Sequence, residues 1–465
     1  MIYLAENVSL IKTQRLLQKC TAGNYSEIHT LKMYKDNKIM ADISIPPYNC
    51  GQLCHVYSLS KSFTSTAIGL LYDEGKIDIT DNAADILGVK VEKGSYADKL
   101  EIRHLLSMSA GHSECSISSI ANSSDGVKEF FRKEFVYPPG THFTYDTGAS
   151  WLLSAIVTAV TGMTLFDYLN EKLFYPLNIF ECKWQCSGGN ISEGGLGLFI
   201  STDSLAKVAL MYANRGVYNG KRILSERWIS MASSKQTDTS SNGSANWSVG
   251  YGYQLWMNKL GGYRGDGAFG QYMIVIPERN IAFVALTESD NMGKQIDDIF
   301  EYIFDYEKDD NEEEPNIKDF INGIYKPSYS ETGLEINKLY TLGKNLQGFT
   351  SCRVNNEGKT LLLTLSNGKD LQTISIGNGE WLENELTAPA FMPVLINAVP
   401  RLRMDTSRFF ASYKLLEKNR ISIDIRFVNC PHHVTAEAIF SERPEIKLTR
   451  FKPELHCFSA VKILE

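Results

Sequence analysis

Between residues 63 and 71 the apolar positions Phe63, Ala67, Ile68 and Leu71 recur at three- and four-residue spacing, which predicts a buried helix. Gly75 follows as its C-terminal stop. Upstream, residues 25–57 read as short strands. Residues 31–34, the turn residues Asp36-Asn37-Lys38 and then Ile39-Met40 predict a hairpin, which Pro46-Pro47 ends. Tyr137-Pro138-Pro139-Gly140 forces an extended turn. Trp151, Leu152, Ala155, Ile156 and Ala159 then trace a second apolar helix face. Thr164 is placed to cap a helix with Phe166, Leu169 and Leu173 inward, and Ser201 to cap another over residues 205–212. From Tyr251 to Thr287 the period changes to two. Residues 253–256, 272–276 and 281–286 predict three antiparallel strands, the last two turned by Pro277-Glu278-Arg279-Asn280. Ile296, Ile299, Phe300 and Ile303 close this part with an amphipathic helix.

Residues 307–315 are mostly acidic and end in proline, which predicts a solvated linker. Beyond it Asn356-Glu357-Gly358, Asn367-Gly368 and Asn378-Gly379 punctuate alternating runs, a hairpin signature. Ile421, Ile423, Ile425 and Phe427 point one way; Ser422, Asp424 and Arg426 point the other. Residues 316–465 therefore read as an all-β barrel or sandwich, and 1–306 as a separate mixed domain. A chain of 465 residues is longer than one core normally holds. The formal net charge of -7 and the lack of a basic patch argue against nucleic acid. No run approaches a membrane span; residues 151–160 fit a buried helix better. The first twenty residues contain Glu6, Lys12, Arg15 and Lys19, so no signal peptide is expected. The nine cysteines are odd in number and scattered, which fits reduced thiols in a cytoplasm. Nothing with ligand spacing completes Cys50/Cys54 or Cys182/Cys186, and His432-His433 reads as a solvated turn. Neither metal nor cofactor is expected.

The chemistry gathers at Tyr57-Ser58-Leu59-Ser60-Lys61-Ser62-Phe63. Ser58 falls where a helix begins and Lys61 lies one turn on, on the same face. Unpaired N–H groups at a helix start favour developing negative charge. The same field pushes a lysine toward the neutral form that can take a serine proton. The spacing alone is common: Ser9/Lys12, Ser204/Lys207, Ser366/Lys369 and Ser459/Lys462 also have it. The fuller context, Ser-x-Ser-Lys-Ser-Phe followed by a helix and Asp73-Glu74-Gly75-Lys76-Ile77, resembles the nucleophile helix of the class C β-lactamase and penicillin-binding-protein superfamily. Residues 102–111 are similar to that superfamily's Leu-Leu-x-x-x-Ser-Gly segment.

The resemblance implies an α+β fold for 1–306: a β-lactamase/transpeptidase-like antiparallel sheet flanked by helices, with a helical subdomain. It also implies a lipocalin-like all-β domain at the C-terminus. It calls for a Tyr-x-Asn relay. Tyr212-Ala213-Asn214 matches the letters, whereas Tyr145-Asp146-Thr147 matches the place, in a turn before a helix. Tyr145 is the choice, and Tyr212 is read as packing. Either Lys61 or Tyr145 could be the base. Thr147 stands where the family has an asparagine that holds substrate. The third motif, Lys-Thr-Gly, corresponds to Gly265-Asp266-Gly267. The N–H groups of Ser58 and Ala268 would then make the oxyanion hole. Gly265 removes a cation that meets a substrate carboxylate, a lysine introduced there is expected to favour β-lactams, and Asp266 is expected to meet a cationic group. His142 is the histidine closest in sequence to Tyr145; His104 and His112 are read as flanking a packed segment, and no histidine triad is expected. The implied function is hydrolysis of a small ester, amide or peptide through a Ser58 acyl-enzyme, with Lys61 and Tyr145 moving protons. The alternatives are an inactive binding or sensor module, and a true β-lactamase or D-amino-acid peptidase.

Overall fold

The hairpin turn sits where the polar interruption foretold, because Asp36 and Asn37 both adopt positive φ, 50° and 63°. The computed structural model describes residues 2–22, 26–187, 190–309, 314–331, 334, 336–342, 348–387, 406–440 and 445–450. The chain divides into two units. One comprises Met1–Ser44 and Asn49–Lys318; the other comprises Ile45–Tyr48 and Asp319–Glu465.

In the first unit seven strands form one antiparallel sheet. They are β1 (Ile2–Leu4), β2 (Ser26–Lys35), β3 (Lys38–Ser44), β4 (Trp256–Met257), β5 (Tyr263–Gly267), β6 (Gln271–Ile276) and β7 (Ile281–Ser289). Their order is β1-β3-β2-β7-β6-β5-β4. Every residue of β6 and β7 is buried, as strands covered on both faces must be. Helices α1 (Leu10–Ala22), α2 (Ser60–Asp73), α3 (Thr147–Thr161), α4 (Thr202–Ala213) and α5 (Met292–Phe304) supply the covering and the subdomain. The start of α4 is tied to the sheet by a hydrogen bond of 2.6 Å between the hydroxyls of Thr30 and Thr202.

Helix α2 runs through the centre: each residue from Ser60 to Leu71 is buried. It ends near the expected stop, with Gly75 at φ 67° and its N–H on the Tyr72 carbonyl. The expected caps are present, since Thr164 accepts from the N–H of Asp167 and Ser201 from that of Ser204. One strand expectation is corrected. Residues 253–255 are not extended, because Gln254 has φ 61° and its amide donates to the carbonyls of Leu105 and Leu106. The side-chain oxygen of Gln254 also accepts from Ser150 at 2.6 Å. Strand β4 therefore begins only at Trp256.

The second unit is a mostly antiparallel nine-stranded sheet. Its strands are β8 (Asn337–Thr341), β9 (Ser351–Glu357), β10 (Thr360–Ser366), β11 (Leu371–Asn378), β12 (Leu382–Thr387), β13 (Thr406–Glu417), β14 (Arg420–Phe427), β15 (His433–Ile439) and β16 (Glu445–Arg450). Gly358 and Gly368 make the expected hairpin turns. Asn378-Gly379 does not, because β11 and β12 each pair with β13 instead of with one another. The Asn384 side chain sits between them, accepting from the Ser375 N–H and donating to its carbonyl. Three polar residues read as outward or solvated are in fact buried. Arg426 stacks over Tyr325 at 4.0 Å, and His432-His433 is enclosed and not a solvated turn.

Helix α2 passes so close to Trp228 that a Cβ at Gly69 would lie 2.4–2.6 Å from three indole ring atoms. Alanine gains about 1 kcal/mol of helix propensity there. Overpacking costs about 1–3 kcal/mol, and Trp228 is fully buried. Gly69→Ala is expected to lower the urea midpoint; an unchanged or raised midpoint would show that the indole can move aside.

Candidate active site

The chain enters the site through Cys54–His55, which pairs with Leu198–Ile200. Tyr57 then takes φ 47°, a left-handed conformation that costs a side-chain-bearing residue about 1–3 kcal/mol. Its ring is fixed between His55, at 4.3 Å, and Phe269, at 5.2 Å. This bend presents Ser58 in a single 3-10 turn, Tyr57–Leu59, that runs directly into α2. Lys61 follows one turn later. Its Nζ donates to Ser58 Oγ at 3.0 Å, to Thr147 Oγ1 at 3.2 Å and to the Gly195 carbonyl at 2.7 Å. Lys61 is 1 % exposed. Burial lowers its pKa to about 8, although the Cys115 thiol, Asp146 and Asp266 pull the other way.

The other serine–lysine pairs form no such unit where they are described. Lys12 bonds Asp305 on the surface, and Lys207 bonds the Asn178 carbonyl. Ser366 closes a strand and Lys369 donates its N–H within the following turn. Ser459/Lys462 lies outside the described residues.

Tyr145 stands beside the pair, with Lys61 Nζ 4.9 Å from its ring centre. The ring stacks on Trp256 at 5.6 Å and 18° and meets Tyr251 edge-on at 6.2 Å. Burial pushes its hydroxyl above the ordinary phenol range; Asp266 adds to this, and a hydrogen bond with Ser58 opposes it. Tyr212 is elsewhere, its hydroxyl sharing a 2.7 Å hydrogen bond with Thr66 on α2.

Asp146 caps α3 and is buried. It accepts from the N–H and hydroxyl of Ser116, from the Gly148 N–H, and it faces His112 Nδ1 at 3.1 Å. Burial alone would raise its pKa; the bonds from His112 and Ser116 outweigh this and hold it below the usual carboxylate range. Thr147, at the first position of α3, is buried with its hydroxyl on Lys61.

Strand β5 lies against the nucleophile turn. A Cβ at Gly267 would sit 2.1 Å from the Val56 carbonyl, so only glycine lets the strand come this near. A Cβ at Gly265 would sit 2.4 Å from Ser62 Oγ and 2.5 Å from Leu59 Cδ1. The expectation that a lysine here could restore a cation is corrected: its side chain would be driven into α2. Arg264 and Asp266 share the opposite face and bond each other at 3.0 Å. Trp247 Nε1 also donates to Asp266, at 2.9 Å, and Arg264 donates further to Asn258 Oδ1 and the Asn246 carbonyl. Among the described residues, strand β5 pairs beyond Arg264 only with β6, because β4 reaches just Tyr263 and Arg264.

Sequence reasoning missed two parts of this arrangement. The first is the Gly195 carbonyl, for which the Gly194-Gly195 run was the available signal: a Cβ at Gly195 would lie 2.6 Å from Thr147 Cγ2. The second is His112, clamped by Phe130 and Phe135 at 4.5 and 4.6 Å, which holds the cap of α3. His142 instead stacks on Tyr137 and is exposed.

A family model described as Beta-lactamase matches residues 30–307. Penicillin-binding protein 4 of Amycolatopsis lactamdurans is 23% identical over 282 residues, covering 52% of this chain and 74% of that protein. The 6-aminohexanoate-dimer hydrolase of Paenarthrobacter ureafaciens is 23% identical over 257 residues, covering 50% of this chain and 64% of its own length. The octameric penicillin-binding protein homologue of Pyrococcus abyssi superposes with a TM-score of 0.52 at 16% identity, covering 98% of this chain and 99% of that one. No single helix among the described residues is long and apolar enough to cross a membrane.

The depressed pKa of Lys61 links stability to pH. Between about pH 8 and 10.5 the unfolded chain keeps a proton on Lys61 that the folded chain has lost, so stability rises with pH across this window. Below about pH 8 both states are protonated and the folded state carries the full cost, about 3 kcal/mol. The unfolding free energy of wild type minus that of Lys61→Met should therefore increase by up to about 3 kcal/mol between pH 7 and 10. A difference that stays flat would mean that the buried amine is not destabilised.

Proposed function

The chain belongs to the Beta-lactamase family, and on that premise we propose that it is a serine hydrolase opening an ester or small amide through an acyl-enzyme on Ser58. The observation that carries this reading is the 3.0 Å contact between Lys61 Nζ and Ser58 Oγ, made by an amine whose pKa is lowered to about 8. A lysine at its ordinary value near 10.4 would be almost wholly charged at neutral pH and could accept nothing. At about 8 a useful fraction is neutral.

In the proposed reaction Lys61 takes the Ser58 proton as Oγ attacks the carbonyl carbon. The N–H groups of Ser58 and Ala268 receive the oxyanion, brought together by the close approach at Gly267. Tyr145 keeps its proton, because burial and Asp266 raise its pKa, so it serves as the shuttle to the leaving group and not as the base. Water then clears the acyl group by the reverse proton path. Thr147 holds Lys61 from the position where the family resemblance implies an asparagine, and Asp266, bound by Arg264 and Trp247, contributes a fixed charge.

The substrate class follows from what β5 offers. Among the described residues the outer edge of residues 265–267 has no strand partner, so an extended substrate has backbone groups to bind. No lysine stands at 265, and Arg264 is already engaged by three acceptors. A ring-fused carboxylate such as that of penicillins therefore lacks its charged hydrogen bond, a loss of about 1.5–3 kcal/mol. Small uncharged esters or amides suffer no such loss.

Intact-mass measurement after a fluorophosphonate should show a single adduct, absent in Ser58→Ala and kept in Ser204→Ala; an adduct that survives Ser58→Ala sinks the proposal. For nitrophenyl acetate, kcat/KM should rise with pH through about 8, as Lys61 loses its proton. A flat or falling profile would remove Lys61 from the role of base. A chromogenic cephalosporin should be turned over with kcat/KM lower by roughly tenfold to a hundredfold; comparable values would show that another group meets the carboxylate.

A further inference from the structure

Away from Ser58, three ligating side chains, two carboxylates and an imidazole, converge inside the sheet. Glu27 and His29 lie on β2 and Glu288 on β7, and all three are buried, at 7 %, 3 % and 1 % exposure. Glu288 is the direct cross-strand partner of Glu27. The ladder between β2 and β7 is irregular here: Thr30 pairs with Leu286 and Ile28 with Thr287, which leaves His29 as the extra residue of a bulge. One ligand atom from each residue lies within 4.8 Å of the others.

We propose that Glu27, His29 and Glu288 bind a divalent first-row transition ion such as zinc or manganese. The geometry fits a single ion. Two donors held at about 2.0–2.2 Å from one metal can be no more than about 4.4 Å apart. His29 Nε2 and Glu27 Oε2 are 4.0 Å apart, too far for a hydrogen bond but within that span. The widest spacing in the cluster needs only a small contraction. One imidazole nitrogen with two carboxylates is a mixed set that suits zinc, manganese or iron(II) better than the all-oxygen preference of calcium or magnesium.

The ion would fasten β2 to the end of β7. The next residue back, Thr287, donates its hydroxyl to the Gly270 carbonyl at 2.6 Å and so anchors the turn that follows Ala268. The site lies outside the Ser58 machinery, and its role is to stiffen the sheet behind it.

The full chain is stripped with a chelator, returned to zinc or manganese, and desalted. Metal per chain is then read by plasma mass spectrometry beside Tm. The proposal expects one retained ion and a raised Tm in wild type, with affinity lower by more than about tenfold in Glu288→Gln and His29→Gln. No retained ion, or binding undiminished in both folded variants, overturns it. Cobalt(II) on wild type reports the donors without any variant. Ligand-field bands lacking a thiolate charge-transfer band support the site; a thiolate band would place the ion on cysteine and overturn it.

Discussion

The first unit is built around one buried amine. Lys61 has three protons to donate, and they go to acceptors from three segments far apart in sequence: the nucleophile turn, the start of α3 and the glycine run at 194–195. Each segment is held independently. The turn is bent by Tyr57, α3 is capped by Asp146, and Thr64 on α2 donates to the Gly194 carbonyl at 2.6 Å. A buried ammonium is stable only if its partners are fixed before it arrives. That requirement explains why so much of the surrounding structure is polar, buried and satisfied.

Close approach is the second requirement, and glycine meets it. At Gly265, Gly267 and Gly195 an added Cβ would fall within 2.1–2.6 Å of a neighbouring atom. These positions all lie where an element comes up against the nucleophile turn or Lys61. Their φ values are not positive, so it is the missing side chain that matters there and not left-handed freedom. The contrast with Tyr57 is instructive. There a bulky residue accepts the left-handed region because its ring is wedged between His55 and Phe269, and the strain is met by aromatic packing.

What could be read from the sequence was local. The Asp36-Asn37 turn, the caps at Thr164 and Ser201, and the placing of Ser58 and Lys61 one turn apart each depend on a few neighbouring residues. Choosing Tyr145 over Tyr212-Ala213-Asn214 used position in place of letters, and it is Tyr145 that lies beside Lys61 while Tyr212 bonds Thr66. Most of the misreadings concern polar groups whose partners the local pattern does not show. Gln254 bonds carbonyls of residues 105 and 106, Asn384 interrupts a hairpin by filling its ladder, and Arg426 is buried under Tyr325. Glu27 and Glu288 meet only because two strands remote in the chain become neighbours. Periodicity reports whether a side chain faces a core. It cannot report that a polar side chain will find its partner there.

The opposed pKa shifts of Lys61 and Tyr145 give the proposed proton path a direction. Both arise first from burial, which disfavours charge of either sign: it lowers an amine and raises a phenol. Asp266 acts on the two in the same sense, helping Lys61 keep its proton and resisting loss of the Tyr145 proton. A site with the carboxylate alone would leave Lys61 charged and inert; one with burial alone would destabilise the ammonium that forms on proton transfer. The fixed Arg264–Asp266 pair lies between these extremes, since Arg264 and Trp247 hold the carboxylate in place. Under the proposed mechanism the amine is neutral often enough to accept a proton and stable enough, once charged, to hold it until the leaving group departs. Tyr145 never has to ionise at rest: the path runs from Ser58 to Lys61, and as Tyr145 gives its proton to the departing group Lys61 passes one to Tyr145, which restores the neutral amine and phenol, and water must retrace this path in deacylation.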